Sequence, residues 1–192
     1  MRRKVNFTRR QFIRVAAVGV AAAPMLGCGA GNSPWRFLSK QEGETLAALS
    51  DRIIPEDQFP GAARAGVVNY IDLQLMGPYK RFRSVYRRGL TGVDQTSQAI
   101  FGKPLVALSG AQQDGVLKAL EKGNAPGAIW KEASSREFSD LLLGHTMQGF
   151  YGDPRHGGNR EGVSWQMLGL PYPPIRGRRH YDLTKTGTVP SG

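Results

Sequence analysis

The chain has 192 residues, with 26 lysines and arginines against 15 aspartates and glutamates, a formal charge of +11. Six of those basic residues (Arg2, Arg3, Lys4, Arg9, Arg10, Arg14) crowd the first fourteen positions, and without them the balance is +5, ordinary for a soluble domain, so the charge argues against a nucleic-acid partner. A single cysteine excludes an internal disulfide and any Cys-x-x-Cys haem or zinc motif, which leaves a hydrophobic core or a partner to hold the fold.

At the start of the chain, Thr8-Arg9-Arg10-Gln11-Phe12-Ile13-Arg14 precedes an apolar run from Val15 to Leu26 that is interrupted by Gly19 and Pro24. The order of charge, modest apolar segment and small residues is that of an export signal, and the run is too short and too rich in alanine to span a bilayer comfortably. The pattern resembles the twin-arginine consensus Ser/Thr-Arg-Arg-x-Phe-Leu-Lys, with Arg9, Arg10 and Phe12 at its defining positions. That route carries proteins already folded and implies a translocase as a partner and a periplasmic destination. Two endings stay open. Cys28, after Met25-Leu26-Gly27, resembles a lipoprotein processing site, and acylation there would tether the chain to a membrane. Cleavage after Ala21-Ala22-Ala23 would instead leave Cys28 as a spare thiol; lipidation is the reading favoured.

Beyond the signal, about 160 residues suffice for one core. No second apolar stretch reaches transmembrane length, and no solenoid period appears. Residues 28–38 read as a small-residue linker. Ser39 and Glu42 form a capping box, Leu46, Leu49 and Ile53 lie on one helical face, and Pro55 ends the helix. A second helix is expected over 62–76, with Ala63, Val67, Ile71 and Leu75 buried. A third carries Phe82, Val85, Tyr86 and Leu90, weakened in its later part by Gly89 and Gly92. Ser109 and Gln112 form another capping-box pair ahead of Val116, Leu117 and Leu120. Ser134 or Ser135 caps the strongest helix, with Phe138, Leu141, Leu142 and His145 at helical spacing. No stretch alternates with a period of two, so the class is mainly α: a small helical bundle.

After Phe150 the composition shifts to glycine, proline and aromatics. Long irregular segments are functional or disordered, and the aromatics favour an ordered loop, with a short helix around 162–167. Residues 176–192 read as an extended tail.

Three segments together resemble the gluconate 2-dehydrogenase subunit 3 family: Leu46 to Pro55, Gly61 to Asp72, and the block from Gly149 to Pro171. The last carries Gly149-Phe150-Tyr151-Gly152-Asp153-Pro154, Gly157-Gly158-Asn159-Arg160, Trp165 and Leu168-Gly169-Leu170-Pro171. Leu170 stands where an aromatic is commoner, and His156 where tyrosine is. The resemblance implies a helical accessory subunit, here over residues 39–175, after a signal over 1–27. Its implied partner is a large FAD flavoprotein of the glucose-methanol-choline type, with a cytochrome c bearing haem c as electron acceptor. No cofactor is expected in this chain. The large subunit often lacks a signal, so one signal could export a preassembled pair. Because aromatics and arginine are enriched at interfaces, Phe150, Tyr151, Asp153, Pro154, Asn159, Arg160, Trp165, Leu168 and Pro171 are the candidate partner-facing residues.

The alternative is a stand-alone exported lipoprotein with a binding or hydrolytic role. A trio of Asp153, His156 and Ser164 can be drawn for it, but nothing in the sequence orients the three. The plainer expectation is that His145 packs inside a helix pair and that Asp153 caps a turn on its own backbone.

Overall fold

The computed structural model describes residues 33–170. The described residues all fall within one compact unit. Arg9, Arg10, Phe12, Cys28, Pro171 and the tail 176–192 lie outside the described residues.

Six α-helices and five short 3-10 turns make up the domain, and among the described residues no strand forms. The helices are α1 (Lys40–Ile53), α2 (Val67–Met76), α3 (Arg83–Phe101), α4 (Gly110–Glu121), α5 (Ser135–Tyr151) and α6 (Val163–Met167). Helix α5 touches each of the other five and forms the centre of the bundle. Its Phe138, Leu142 and Phe150 join Leu46 and Leu49 of α1, Ile71 and Leu75 of α2, and Tyr86 and Leu90 of α3 in one core.

The local signals for helix starts act as expected. The Ser39 hydroxyl accepts from the Glu42 amide while the Glu42 carboxylate accepts from the Ser39 amide, and Ser109 with Gln112 closes the same reciprocal box. Ser134, not Ser135, caps α5 by accepting from the Glu137 amide at 3.1 Å. Helices α1 and α4 are riveted by the Arg52 guanidinium, which donates to both oxygens of Asp114 at 2.7 and 2.9 Å. That pairing pushes the Asp114 carboxyl below its ordinary range.

Three expectations change. The second helix starts at Val67 rather than Ala62, because Gly66 sits in the left-handed region at φ 86° and turns the chain just before it. The turn leaves the Ala65 carbonyl to accept from the amide of Arg160, 2.8 Å away at the far end of the chain. The third helix is not weakened by its glycines; at 19 residues it is the longest. A Cβ at Gly89 would lie 2.2 Å from the Phe138 ring, and one at Gly92 would lie 2.3 Å from the Trp130 ring. Both glycines are thus places where a ring rests on helix backbone, and that close packing outweighs their poor helix propensity of about 1 kcal/mol each.

The third change concerns the stretch read as linker. Residues 33–38 lie on the domain: Leu38 is buried, and the ring of Trp35 covers α1 at Gly43. The cause is Asp72, a buried carboxylate on α2 that accepts from the backbone amides of Arg36, Phe37 and Leu38 at 2.7, 2.9 and 2.9 Å. A buried carboxylate requires such partners, and the incoming chain supplies them.

Candidate functional site

The block from Gly149 to Leu170 folds into two 3-10 turns, Pro154–His156 and Arg160–Gly162, followed by α6. Its geometry begins with glycine. Gly157 has φ 93°, and a side chain there would strike Asn69 and Leu73 of α2. Gly158 lies so close to α5 that an added Cβ would sit 2.1 Å from the Gly149 carbonyl oxygen. This is backbone against backbone, and only a residue without a side chain permits it.

Asn159 locks that approach. It is wholly buried and left-handed at φ 41°, a conformation that asparagine tolerates better than most residues. Its amide donates to the Gly149 carbonyl at 2.8 Å, and its own carbonyl accepts from Gly162 at 2.8 Å. Its side-chain Nδ2 donates to the Gly152 carbonyl at 2.8 Å, and Oδ1 accepts from the Ser164 amide at 2.9 Å. Arg160 then donates through its amide to Ala65, and Asn69 Nδ2 donates to the Gly157 carbonyl at 2.7 Å. The sequence Gly157-Gly158-Asn159-Arg160 is therefore a clasp that ties the start of α2, the end of α5 and the start of α6 together.

The candidate partner-facing residues divide accordingly. Phe150, Asn159 and Trp165 are buried, Trp165 with 8% of its surface exposed and its Nε1 3.3 Å from the Tyr151 carbonyl, to which it donates. As placed, these three cannot meet a partner without unpacking the domain; they hold the neighbouring residues in position. Tyr151, Arg160 and Leu168 are exposed, Leu168 at 55%, while Asp153 and Pro154 are half-buried.

The Asp153–His156–Ser164 trio is not assembled. Arg155 donates to both Asp153 oxygens, from Nε at 3.0 Å and from Nη2 at 2.8 Å, and its amide donates as well. The guanidinium and then the amide bring the Asp153 carboxyl down to about 2. Asp153 thus caps its own turn, as the plainer expectation held. Ser164 is fully buried, and its amide is taken by Asn159. His145 is packed inside the bundle, stacked on Tyr79 at 4.3 Å between ring centroids, with Nδ1 2.9 Å from the Tyr86 hydroxyl. Burial, assisted by the positive charge of Arg81, lowers it to about 4, so it is neutral at physiological pH, and burial drives the Tyr86 hydroxyl upward. Among the described residues no group of three or more His, Cys, Asp or Glu side chains is arranged to hold a metal ion, and no helix is long and apolar enough to cross a membrane.

One exposed feature escaped the sequence reading. Leu143, Met147 and Tyr151 repeat every fourth residue along α5 and stand in solvent, Leu143 at 48% and Met147 at 42%. Gly144 beside them has open space where a side chain would be. Leu168 and Leu170 are exposed as well and follow α6, whose Trp165 donates to the Tyr151 carbonyl at the end of α5. The signal for it was the run Leu141-Leu142-Leu143: three successive apolar residues on a helix cannot all face one core.

An all-helical domain whose most distinctive motif is spent on holding its own ends together is the class of protein the geometry defines. The family model described as gluconate 2-dehydrogenase subunit 3 matches residues 40–171, and the chain belongs to that family. It is accordingly of the accessory-subunit kind found in a dehydrogenase complex. No curated protein and no solved structure matches it.

Proposed function

We propose that this chain is the non-catalytic small subunit of a periplasmic, FAD-dependent sugar or alcohol dehydrogenase, and that it serves the assembly and twin-arginine export of the catalytic flavoprotein. The family match over residues 40–171 carries the reading, because it implies a larger complex of which this is one subunit. Two further features support it. The glycine-rich block, where a reaction centre was conceivable, is consumed by packing. The row of exposed apolar side chains on α5 offers what an interface core requires and a solitary domain has no use for.

In this reading the flavin belongs to a partner of the glucose-methanol-choline type and haem c to a cytochrome. The basic leader with Arg9 and Arg10 moves the folded pair across the membrane, and Cys28 provides a lipid tether. The test replaces both Arg9 and Arg10 by lysine and measures substrate-dependent dye reduction in the periplasmic fraction. The expected result is loss of the dehydrogenase activity itself from that fraction. Undiminished periplasmic activity in cells lacking this chain from the periplasm would end the proposal.

A further inference from the structure

Between Asp72 and Asp94 the chain holds no acidic residue but five basic ones, Lys80, Arg81, Arg83, Arg87 and Arg88. They lead into and occupy the first turns of α3. Cations are unfavourable there, since the amino end of a helix carries partial positive charge. An arrangement that costs folding energy calls for an anionic partner.

The neighbourhood supplies one only in part: Arg83 Nε donates to the Leu75 carbonyl at 2.7 Å, at the carboxyl end of α2. Arg87 is paired with Glu42, but no ion pair involves Lys80, Arg81 or Arg83 among the described residues. Arg83 and Arg87 instead lie over the ring of Phe37, at 5.4 and 4.3 Å from its centroid, and Arg87 also donates to the Phe37 carbonyl at 2.6 Å. Phe37 belongs to the segment fastened by Asp72, and the exposed Arg36 beside it adds a further positive charge. The ridge therefore adjoins the place where the chain joins the domain: the Ser33 hydroxyl donates to the Leu38 carbonyl at 2.6 Å, one residue from Phe37.

That position selects the partner. Cys28 precedes Ser33 by five residues, a reach of about 17 Å when fully extended. A lipid on Cys28 would keep the point where the chain enters the domain, at Ser33, within that reach of the bilayer surface. We infer that the ridge of Arg36, Lys80, Arg81, Arg83 and Arg87 is the face with which the domain rests on anionic phospholipid headgroups. The inference takes its setting from the tethered, exported subunit proposed above. Juxtamembrane cations of this kind contribute about fivefold in affinity each within a Debye length of a charged bilayer.

The test uses residues 31–192, the compact unit that lacks both the signal and Cys28, so that only the domain's own contacts are read. Flotation with vesicles of phosphatidylcholine and phosphatidylglycerol in equal parts is compared with pure phosphatidylcholine. Binding is expected only to the anionic vesicles and is expected to fade with added salt. The Lys80→Gln, Arg81→Gln double variant, which changes two exposed side chains, is expected to lose about 25-fold in affinity. Arg36→Gln provides an independent third substitution. Equal binding to both vesicle types would overturn the inference. So would a loss that follows Arg178→Gln and Arg179→Gln in the tail instead, or a loss of dehydrogenase capture with vesicle binding intact, which would assign the ridge to a protein partner. The mass of the mature amino terminus reports acylation of Cys28 separately, so failure of the tether and failure of the ridge are told apart.

Discussion

Replacing Asn159 by alanine removes two side-chain hydrogen bonds inside the domain, Nδ2 to the Gly152 carbonyl and the Ser164 amide to Oδ1. Each loss strands a polar group with little access to water, at about 1.5 kcal/mol apiece. Alanine must also hold the left-handed backbone at φ 41°, which adds about 1 kcal/mol. The expected destabilisation of Asn159→Ala is therefore about 4 kcal/mol, equivalent to a drop of about 12 °C in melting temperature for a domain of this size. Asn159→Gly loses the same two bonds but adopts the backbone freely, so it should be the milder change, by about 1 kcal/mol. Urea unfolding of residues 31–192 followed by far-UV circular dichroism measures both. Hydrogen exchange at the Ser164 amide should quicken in each variant. A loss below 1 kcal/mol for the alanine variant, or a glycine variant worse than the alanine one, would refute the clasp.

Three other outcomes are expected. His145 is held at about 4 in the folded domain by burial, with Arg81 assisting, against an ordinary value of 6.5. Between those values the unfolded chain binds more protons, so stability should be full above pH 6.5 and fall, by about 3 kcal/mol at most, as the pH drops to 4. Urea midpoints across that range should show the decline, and His145→Gln should flatten it; an equal slope in the variant would contradict the assignment. On α5, Leu143→Ser with Met147→Ser should leave the melting temperature nearly unchanged and reduce co-purification of the large subunit. Trp165→Ala should instead cost about 3 to 5 kcal/mol of stability, as expected for a large side chain removed from a core. Capture and melting, measured side by side, would contradict the assignment of surface and core if the two pairs of results were exchanged.

The features legible in the sequence were those that depend on near neighbours. The boxes at Ser39–Glu42 and Ser109–Gln112 close within a single helical turn, and sequence spacing alone defines them. Gly89 and Gly92 were misread because their meaning lies with Phe138 and Trp130, rings supplied from later in the chain. The start of α2 was misplaced for a similar reason: the Ala65 carbonyl finds its donor at Arg160. The glycine-rich block was recognised as distinctive, but its direction was not. Asn159 points inward, and only the close passage of Gly158 over Gly149 explains why. The exposed row on α5 was hidden by its neighbours, since Leu141 and Leu142 gave the helix a buried face and drew attention from Leu143 and Met147.

The clasp also sets an order of events. Its parts come from residues 149 to 164, yet they fasten onto Ala65 and Asn69, which leave the ribosome well before them. A nascent or prematurely terminated product can form its early helices but has nothing to secure the first of these to the last. Closure of the domain thus waits on the segment that carries Asn159. Whatever handles only the closed domain must therefore act after that segment has emerged.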